Sequence, residues 1–141
     1  MNRREVTTIG RREFVDLPEL DSVHIESKVD TGAYRSVIHC NSCHEVESGG
    51  NVFLEATFDL DGRGEKKILF KNFMERTVRN SSGQIELRFV ILTLLKIGNR
   101  KIRAEVSLTD RSDMRCQVLI GRRTLGGKYL VDVRKRFLIE E

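Results

Sequence analysis

Alternation of apolar and polar residues governs most of this chain. From Gln84 to Ile97 the odd positions read Ile85, Leu87, Phe89, Ile91, Thr93, Leu95 and Ile97. The even positions begin polar with Gln84, Glu86 and Arg88 and turn apolar at Val90, Leu92 and Leu94. That pattern predicts a long strand whose middle is covered on both faces. Gly98-Asn99 suits a tight hairpin, and beyond it Ile102, Ala104, Val106 and Leu108 alternate with Lys101, Arg103, Glu105 and Ser107. A second hairpin is expected where Val52, Leu54, Ala56, Phe58 and Leu60 lead to Asp61-Gly62 and Ile68 and Phe70 return. Val23–Val29 reads as a strand running into Asp30, Val118–Ile120 as a short buried strand, and Tyr129–Val133 as the last one. Helical signal is confined to one or two turns around Arg122–Leu125, closed by Gly126-Gly127. The expectation is one all-β domain of barrel or sandwich type over residues 1–141.

Composition narrows this only slightly. A chain of 141 residues can bury a core without disulfides, and three cysteines with no framework spacing agree with a reducing compartment. No apolar run approaches the roughly 18–20 residues needed to span a bilayer, and Met1–Thr8 carries basic residues without an apolar stretch behind them. A cytoplasmic protein without membrane contact is therefore expected. The excess of 25 Lys+Arg over 21 Asp+Glu, net +4, favours an anionic partner, either an acidic peptide or a nucleic acid, against the plainer alternative of a mixed, well-solvated surface. Basic residues gather in Lys66-Lys67, Arg100-Lys101-Arg103, Arg122-Arg123 and Arg134-Lys135-Arg136. Seven Phe, two Tyr and no Trp leave few stacking platforms for single-stranded RNA, which makes nucleic acid the weaker choice.

Chemistry concentrates at Asp30-Thr31-Gly32-Ala33. An aspartate at a strand end, followed by a small hydroxyl residue and a glycine, can be presented on a sharp loop. Gly32 accepts backbone angles that other residues resist and lets a neighbouring chain approach closely. Backbone N–H groups of the loop can hold the carboxylate, and Thr31 can reach a partner loop. Two such loops side by side would share one proton between two carboxylates, one acting as general base toward water and the other polarising a scissile carbonyl. A four-residue string of this kind also arises by chance in turns, so its context matters. Val118-Leu119-Ile120-Gly121-Arg122 supplies the hydrophobic-hydrophobic-glycine pattern that packs beside such a loop in aspartic peptidases.

On these residues the sequence resembles the retropepsins, and more closely the bacterial retropepsin-like proteins known as ATP-dependent zinc proteases. The matching stretches are Ile9–Val15, Ser27–Ser36 with Ile38-His39, Leu108–Arg111, and Val118–Val133, in that order. The resemblance implies a closed retropepsin-like β-barrel with one short C-terminal helix, and an aspartic-type peptidase with Asp30 as its carboxylate. Thr31, Gly32 and Ala33 would complete the loop, with Lys28, Gly121 and Arg122 in support. Members of that group occur alongside ATP-grasp ligases that add glutamate to a ribosomal protein, which implies an acidic, glutamate-extended substrate and a ligase partner. No second Asp-[Ser/Thr]-Gly is present, since Asp16, Asp21, Asp59, Asp61, Asp110, Asp113 and Asp132 lack that context. A working dyad would then need a homodimer. The Asp61-Gly62 hairpin is the expected flap, with Gly98-Asn99 as its competitor.

Other features pull in different directions. Lys28 precedes Asp30 by two residues and shares its face of a strand, so a plain Lys28–Asp30 pair without catalysis is an alternative. His39-Cys40-Asn41-Ser42-Cys43-His44 has metal-like spacing, with Cys40, Cys43 and His44 as three ligands and His39, His24 or Cys116 as a fourth, but no second Cys-x-x-Cys half is present. The same string spells a haem-attachment signature, which needs an exported protein. No cofactor is therefore expected. Besides the peptidase, the sequence admits a binding module for acidic tails or RNA on the same fold, and a zinc-dependent protease built on the His39–His44 cluster.

Overall fold

The computed structural model of the protein describes residues 5–79 and 82–139. Its strands are β1 (Thr7–Gly10), β2 (Arg12–Leu17), β3 (Ser22–Val29), β4 (Ser36–His39), β5 (Ser42–Ser48), β6 (Asn51–Phe58), β7 (Lys66–Phe70), β8 (Met74–Arg79), β9 (Ile85–Ile97), β10 (Arg100–Thr109), β11 (Val118–Ile120) and β12 (Tyr129–Asp132). A 3-10 turn, Pro18–Leu20, and one α-helix, α1 (Arg122–Leu125), complete the fold. It is mostly β, as the alternation predicted. Among the described residues no helix is long and apolar enough to cross a membrane.

The principal sheet has the order β10-β4-β11-β3-β2-β9-β8, and β9 also pairs with β10, which brings the sheet round into a ring. β2 and β9 meet at a single register pair, Asp16↔Lys96, whereas β9 and β10 run together from Ile97↔Arg100 to Phe89↔Leu108. The ring is thus firmly laddered on one side and thinly joined on the other. β5, β6 and β7 form a separate antiparallel sheet, and β1 lies parallel to β12. Side chains pointing into the ring form the core: Ile9, Leu17, Leu20, Ile38, Leu54, Phe58, Leu95 and Ile120 are fully buried. Burying apolar surface at about 25 cal/mol per Å² is what holds these strands together.

β9 departs from the expectation of a doubly covered middle. Val90 and Ile91 are buried, but Leu92 is 56% exposed, at the edge of a cavity it shares with Arg103 and Arg123 on the outer face of the ring. Toward its start, β9 leaves the ring with β8 as its ladder partner, from Val90↔Met74 to Ile85↔Arg79. The core-facing stripe continues out along this hairpin, leaving Ile85 and Leu87 in solvent.

A carboxylate ties the β1–β2 turn to the segment that follows β12. The segment 133–139 crosses the turn between β1 and β2, where Lys135 O accepts from Arg11 N and Phe137 N donates to Arg12 O. Glu13, fully buried, accepts from Gly10 N (2.8 Å) and Leu138 N (2.9 Å) through Oε2 and from Ile139 N (3.1 Å) through Oε1. Three N–H donors satisfy a charge that burial would otherwise make costly. Gly10 has no room for a side chain, since a Cβ there would lie 2.5 Å from Lys135 O.

Candidate active site

β3 and β11 run parallel with Val29 opposite Ile120, and the ladder continues one step into the next residue, where Asp30 N donates to Ile120 O at 2.9 Å. The chain then turns: Ala33 N reaches Asp30 O at 3.3 Å, and Gly32 N donates to Asp30 Oδ1 at 2.9 Å. The Asp30 carboxylate is therefore held by its own loop while the residue stays half-buried, with Thr31 and Gly32 exposed. Gly32 does not adopt a left-handed conformation, so of the two expected reasons for a glycine here the backbone-angle one does not apply. Its reason is proximity, because a Cβ would sit 3.2 Å from Asp30 Oδ1. Thr31 contributes its carbonyl, which accepts from Arg122 Nη1 at 3.0 Å.

From the other side, the Gly121 segment clamps the loop. The first helical N–H groups of α1 have no partner within the helix. Those of Arg122 and Arg123 donate back to Ala33 O (2.8 Å) and Tyr34 O (2.9 Å). Gly121 passes so close to the Tyr34–Arg35 main chain that a Cβ would meet Arg35 C and O at 2.7 Å. A buried hydroxyl pair finishes the join: Ser36 Oγ accepts from Gly121 N at 3.0 Å and lies 2.7 Å from Thr124 Oγ1. Sequence reasoning identified Gly121 and Arg122 but missed Ser36 and Thr124, whose role appears only when β4 and α1 are brought together. It also missed Glu105, which takes Arg35 (2.8 Å) and Arg123 (3.2 Å) as ion-pair partners.

Charge around the loop is mainly positive. A cavity of about 310 Å³ beside Val29 is lined by Arg11, Arg12, Lys28, Arg111 and Arg115. Glu26 offsets part of this charge, lying 3.2 Å from Arg115 and 3.9 Å from Arg12. Lys28 sits opposite Arg12 on β2 and is exposed; among the described residues it forms no ion pair with Asp30. Arg111 is partly buried, which lowers its guanidinium pKa, while Cys116 and Asp30 act in the opposite sense and Arg88 adds to the lowering. Arg111 was legible only as part of the resemblance to Leu108–Arg111.

The two turns expected as flaps lie elsewhere. Gly98-Asn99 borders a larger cavity, about 690 Å³, with Glu5, Thr7 and Tyr129, at the far end of β9 and β10 from Asp30. Asp61 is engaged by Lys66 at 2.7 Å, and its turn faces Ile25 and Glu26 in the middle of β3. The hairpin on the Asp30 side is β8–β9. Thr109, at the end of β10, donates to Glu86 Oε1 at 3.2 Å, and the Arg88 charge is felt at Arg111 together with that of Asp30.

The cysteine–histidine string does not assemble. Among the described residues no three His, Cys, Asp or Glu side chains are placed to hold a metal ion. Cys43 and His44 are consecutive on β5 and so point to opposite faces. His44 is exposed, 3.6 Å from Glu55. Cys43 hydrogen-bonds to Cys40, which together with burial raises its thiol pKa. Both ring nitrogens of His39 are engaged by protein groups, Arg111 N and Asn41 Oδ1. These residues do not fit a zinc centre.

Residues 8–141 match the model of one protein family, RimB-like, described as retropepsin-like aspartic endopeptidase RimB. The chain is 30% identical over 136 residues to a probable alpha-L-glutamate ligase of Shewanella halifaxensis (strain HAW-EB4), covering 93% of this chain and 29% of that protein. A probable alpha-L-glutamate ligase of Shewanella pealeana (strain ATCC 700345 / ANG-SQ1) is 30% identical over 138 residues, covering 94% of this chain and 30% of that protein. This chain thus spans about three-tenths of the length of these relatives. Among solved structures, the crystal structure of Lpg0085 from Legionella pneumophila, a protein with unknown function (DUF785), superposes with a TM-score of 0.77 at 23% identity over 95% of this chain and 98% of that one. At that identity the likeness speaks for the fold.

Proposed function

Since the chain belongs to the RimB-like family of retropepsin-like aspartic endopeptidases, we propose that it is an aspartic-type endopeptidase, a single retropepsin-like domain acting as a homodimer on acidic, glutamate-extended peptides. The observation that carries the reading is the Asp30 loop, with its carboxylate presented half-buried and its main chain fixed from β11 and α1. One such loop occurs per chain, so the second carboxylate comes from a second copy. With two Asp30 side chains in reach, both cannot ionise cheaply. The ionised one takes a proton from water as general base, and the protonated one donates to the scissile carbonyl as negative charge develops on its oxygen. Thr31 and Gly32, exposed at the tip, are the residues a partner loop would meet, and β8–β9 is the hairpin placed to cover the cleft.

The cavity lined by Arg11, Arg12, Lys28, Arg111 and Arg115 supports the acidic class of substrate. Five cations outnumber the carboxylates that act on them, Glu26 beside Arg12 and Arg115 and Asp30 and Asp113 toward Arg111, which favours a ligand with several negative charges. The names of the relatives fit a partner that makes glutamate chains, an ATP-grasp ligase. A second reading, a non-catalytic module for acidic tails, is favoured by the same cavity, because none of its cations depends on Asp30 for position.

The experiment is a turnover assay on a peptide with a C-terminal oligoglutamate tail, using wild type and Asp30→Asn, with sedimentation to size the protein. Loss of turnover in a folded variant, in a protein that forms dimers, supports the peptidase. Equal turnover in Asp30→Asn refutes it. Salt-sensitive binding with no turnover in either protein would establish the second reading.

A further inference from the structure

We propose that His39 is a positioning residue of the Asp30 cleft: its neutral imidazole, protonated at Nε2, holds the Arg111 main chain and so sets where the Arg111 guanidinium stands. The inference rests on the reading of the cleft as an acidic-peptide site.

His39 ends β4 and is 3% exposed. Its Nδ1 accepts from Arg111 N at 2.8 Å. A backbone N–H can only donate, so Nδ1 carries no proton, and the proton of a neutral ring must be on Nε2. Nε2 lies 2.8 Å from Asn41 Oδ1, an atom that only accepts, and Asn41 Nδ2 donates onward to Glu65 Oε2 at 3.1 Å. Both contacts therefore demand the same tautomer. Asp110 Oδ1 is the nearest charge, 3.5 Å from Nδ1, and it is already accepting from Ser112 N at 2.9 Å.

The consequence runs through Arg111. Residues 110–117 link β10 to β11 without regular structure, and Arg111 is where the imidazole grips them. From that point the Arg111 side chain reaches Cys116 O through Nε at 3.2 Å and enters the cavity shared with Lys28 and Val29, next to Asp30. A histidine that merely filled the core would not need a particular ring nitrogen free. Here one nitrogen fixes a cation in the cleft.

Two substitutions separate the ring nitrogens. His39→Asn keeps an acceptor near the Nδ1 position, whereas His39→Gln places its amide near the Nε2 position. We would measure dissociation constants for a hexaglutamate peptide by calorimetry in full-length Asp30→Asn protein, where no turnover interferes. Arg111→Ala is expected to weaken binding about tenfold and His39→Gln about fivefold, with His39→Asn within about twofold of the parent. His39→Gln combined with Arg111→Ala should bind no worse than Arg111→Ala alone, because a residue acting through Arg111 then has nothing left to position. Additive losses, or His39→Asn as weak as His39→Gln in equally stable proteins, would overturn the proposal. If the Asp30→Asn parent does not bind the peptide, the acidic-peptide reading fails, and the Arg111 amide decides the positioning role separately. Its proton shift and slow exchange should survive His39→Asn and be lost in His39→Gln; an amide indifferent to both overturns it.

Discussion

Replacing Glu13 by glutamine changes its volume hardly at all and turns one acceptor oxygen into an NH₂ group. The carboxylate takes two N–H groups on Oε2 and one on Oε1. In the best arrangement the glutamine oxygen keeps Gly10 N and Leu138 N, and the new NH₂ faces Ile139 N, donor against donor. One buried hydrogen bond is then lost and two are weakened, because a neutral acceptor replaces a charged one. Hydrogen bonds to charged groups contribute about 1.5–3 kcal/mol, and a buried polar group left unmade costs about 1–3 kcal/mol, so Glu13→Gln should cost about 2 kcal/mol. Glu13→Ala removes all three partners, and the segment 133–139 can relieve that only by lifting away, for about 4 kcal/mol. For 141 residues the entropy of unfolding is about 0.3 kcal/mol/K, which turns these costs into falls in Tm of about 7 and 13 °C. Calorimetric melts at pH 7 would read them, and amide exchange would show Leu138 and Ile139 losing protection first. A Glu13→Gln protein that melts within about 2 °C of wild type would refute the reasoning, since the carboxylate could not then be holding three donors.

Gly121→Ala should cost about 1–3 kcal/mol and loosen the Asp30 loop, because its Cβ would press on the Arg35 main chain at 2.7 Å; Tm and the protection of the Asp30 amide would report both. Asp132, bonded by Arg134, has its carboxyl pKa held down to about 2. A lowered folded-state pKa stabilises above the unfolded value and loses that contribution as pH falls through about 2, so a carboxyl NMR titration should find Asp132 near that pH and Arg134→Ala should move it up. Ile85 and Leu87 are 65% and 63% exposed, so Ile85→Ser with Leu87→Ser should leave Tm nearly unchanged. The same pair should depress peptide turnover if β8–β9 covers the cleft, and unaltered kcat and KM would remove the hairpin from the mechanism.

Much of the sheet was legible because alternation is a strong signal wherever one face is wet: β6, β7, β9, β10, β11 and β12 follow the apolar periods closely. β5 and β8 were not. Residues of β5 and β8 are mostly exposed on both faces, so Ser42–Ser48 and Met74–Arg79 are strands through their hydrogen-bonded ladders rather than through burial. Leu92 misled for the opposite reason, an apolar residue that stays largely exposed. At the candidate site the Asp30 loop and Gly121 could be read from a short pattern, whereas Ser36, Thr124, Glu105 and Arg111 could not. Each is defined by a residue 70 or more positions away, such as Arg35 for Glu105 and His39 for Arg111. The expected flap turns were chosen for their glycines, but the hairpin near Asp30 is set by how far β9 outruns the ring.

The join between β1–β2 and the segment after β12 also bears on how the protein is made. β1 has β12 as its ladder partner, and Glu13 receives its last donor from a residue 126 positions further on. Contacts of such separation form late, since a long loop must close before they return any stabilisation. Until Leu138 and Ile139 are made, Glu13 has only Gly10 N of its three donors, and until β12 is made β1 has no strand to lie against. Ring strands β2, β3 and β4 can gather once β9, β10 and β11 are available, but β1 must wait until β12 has been made.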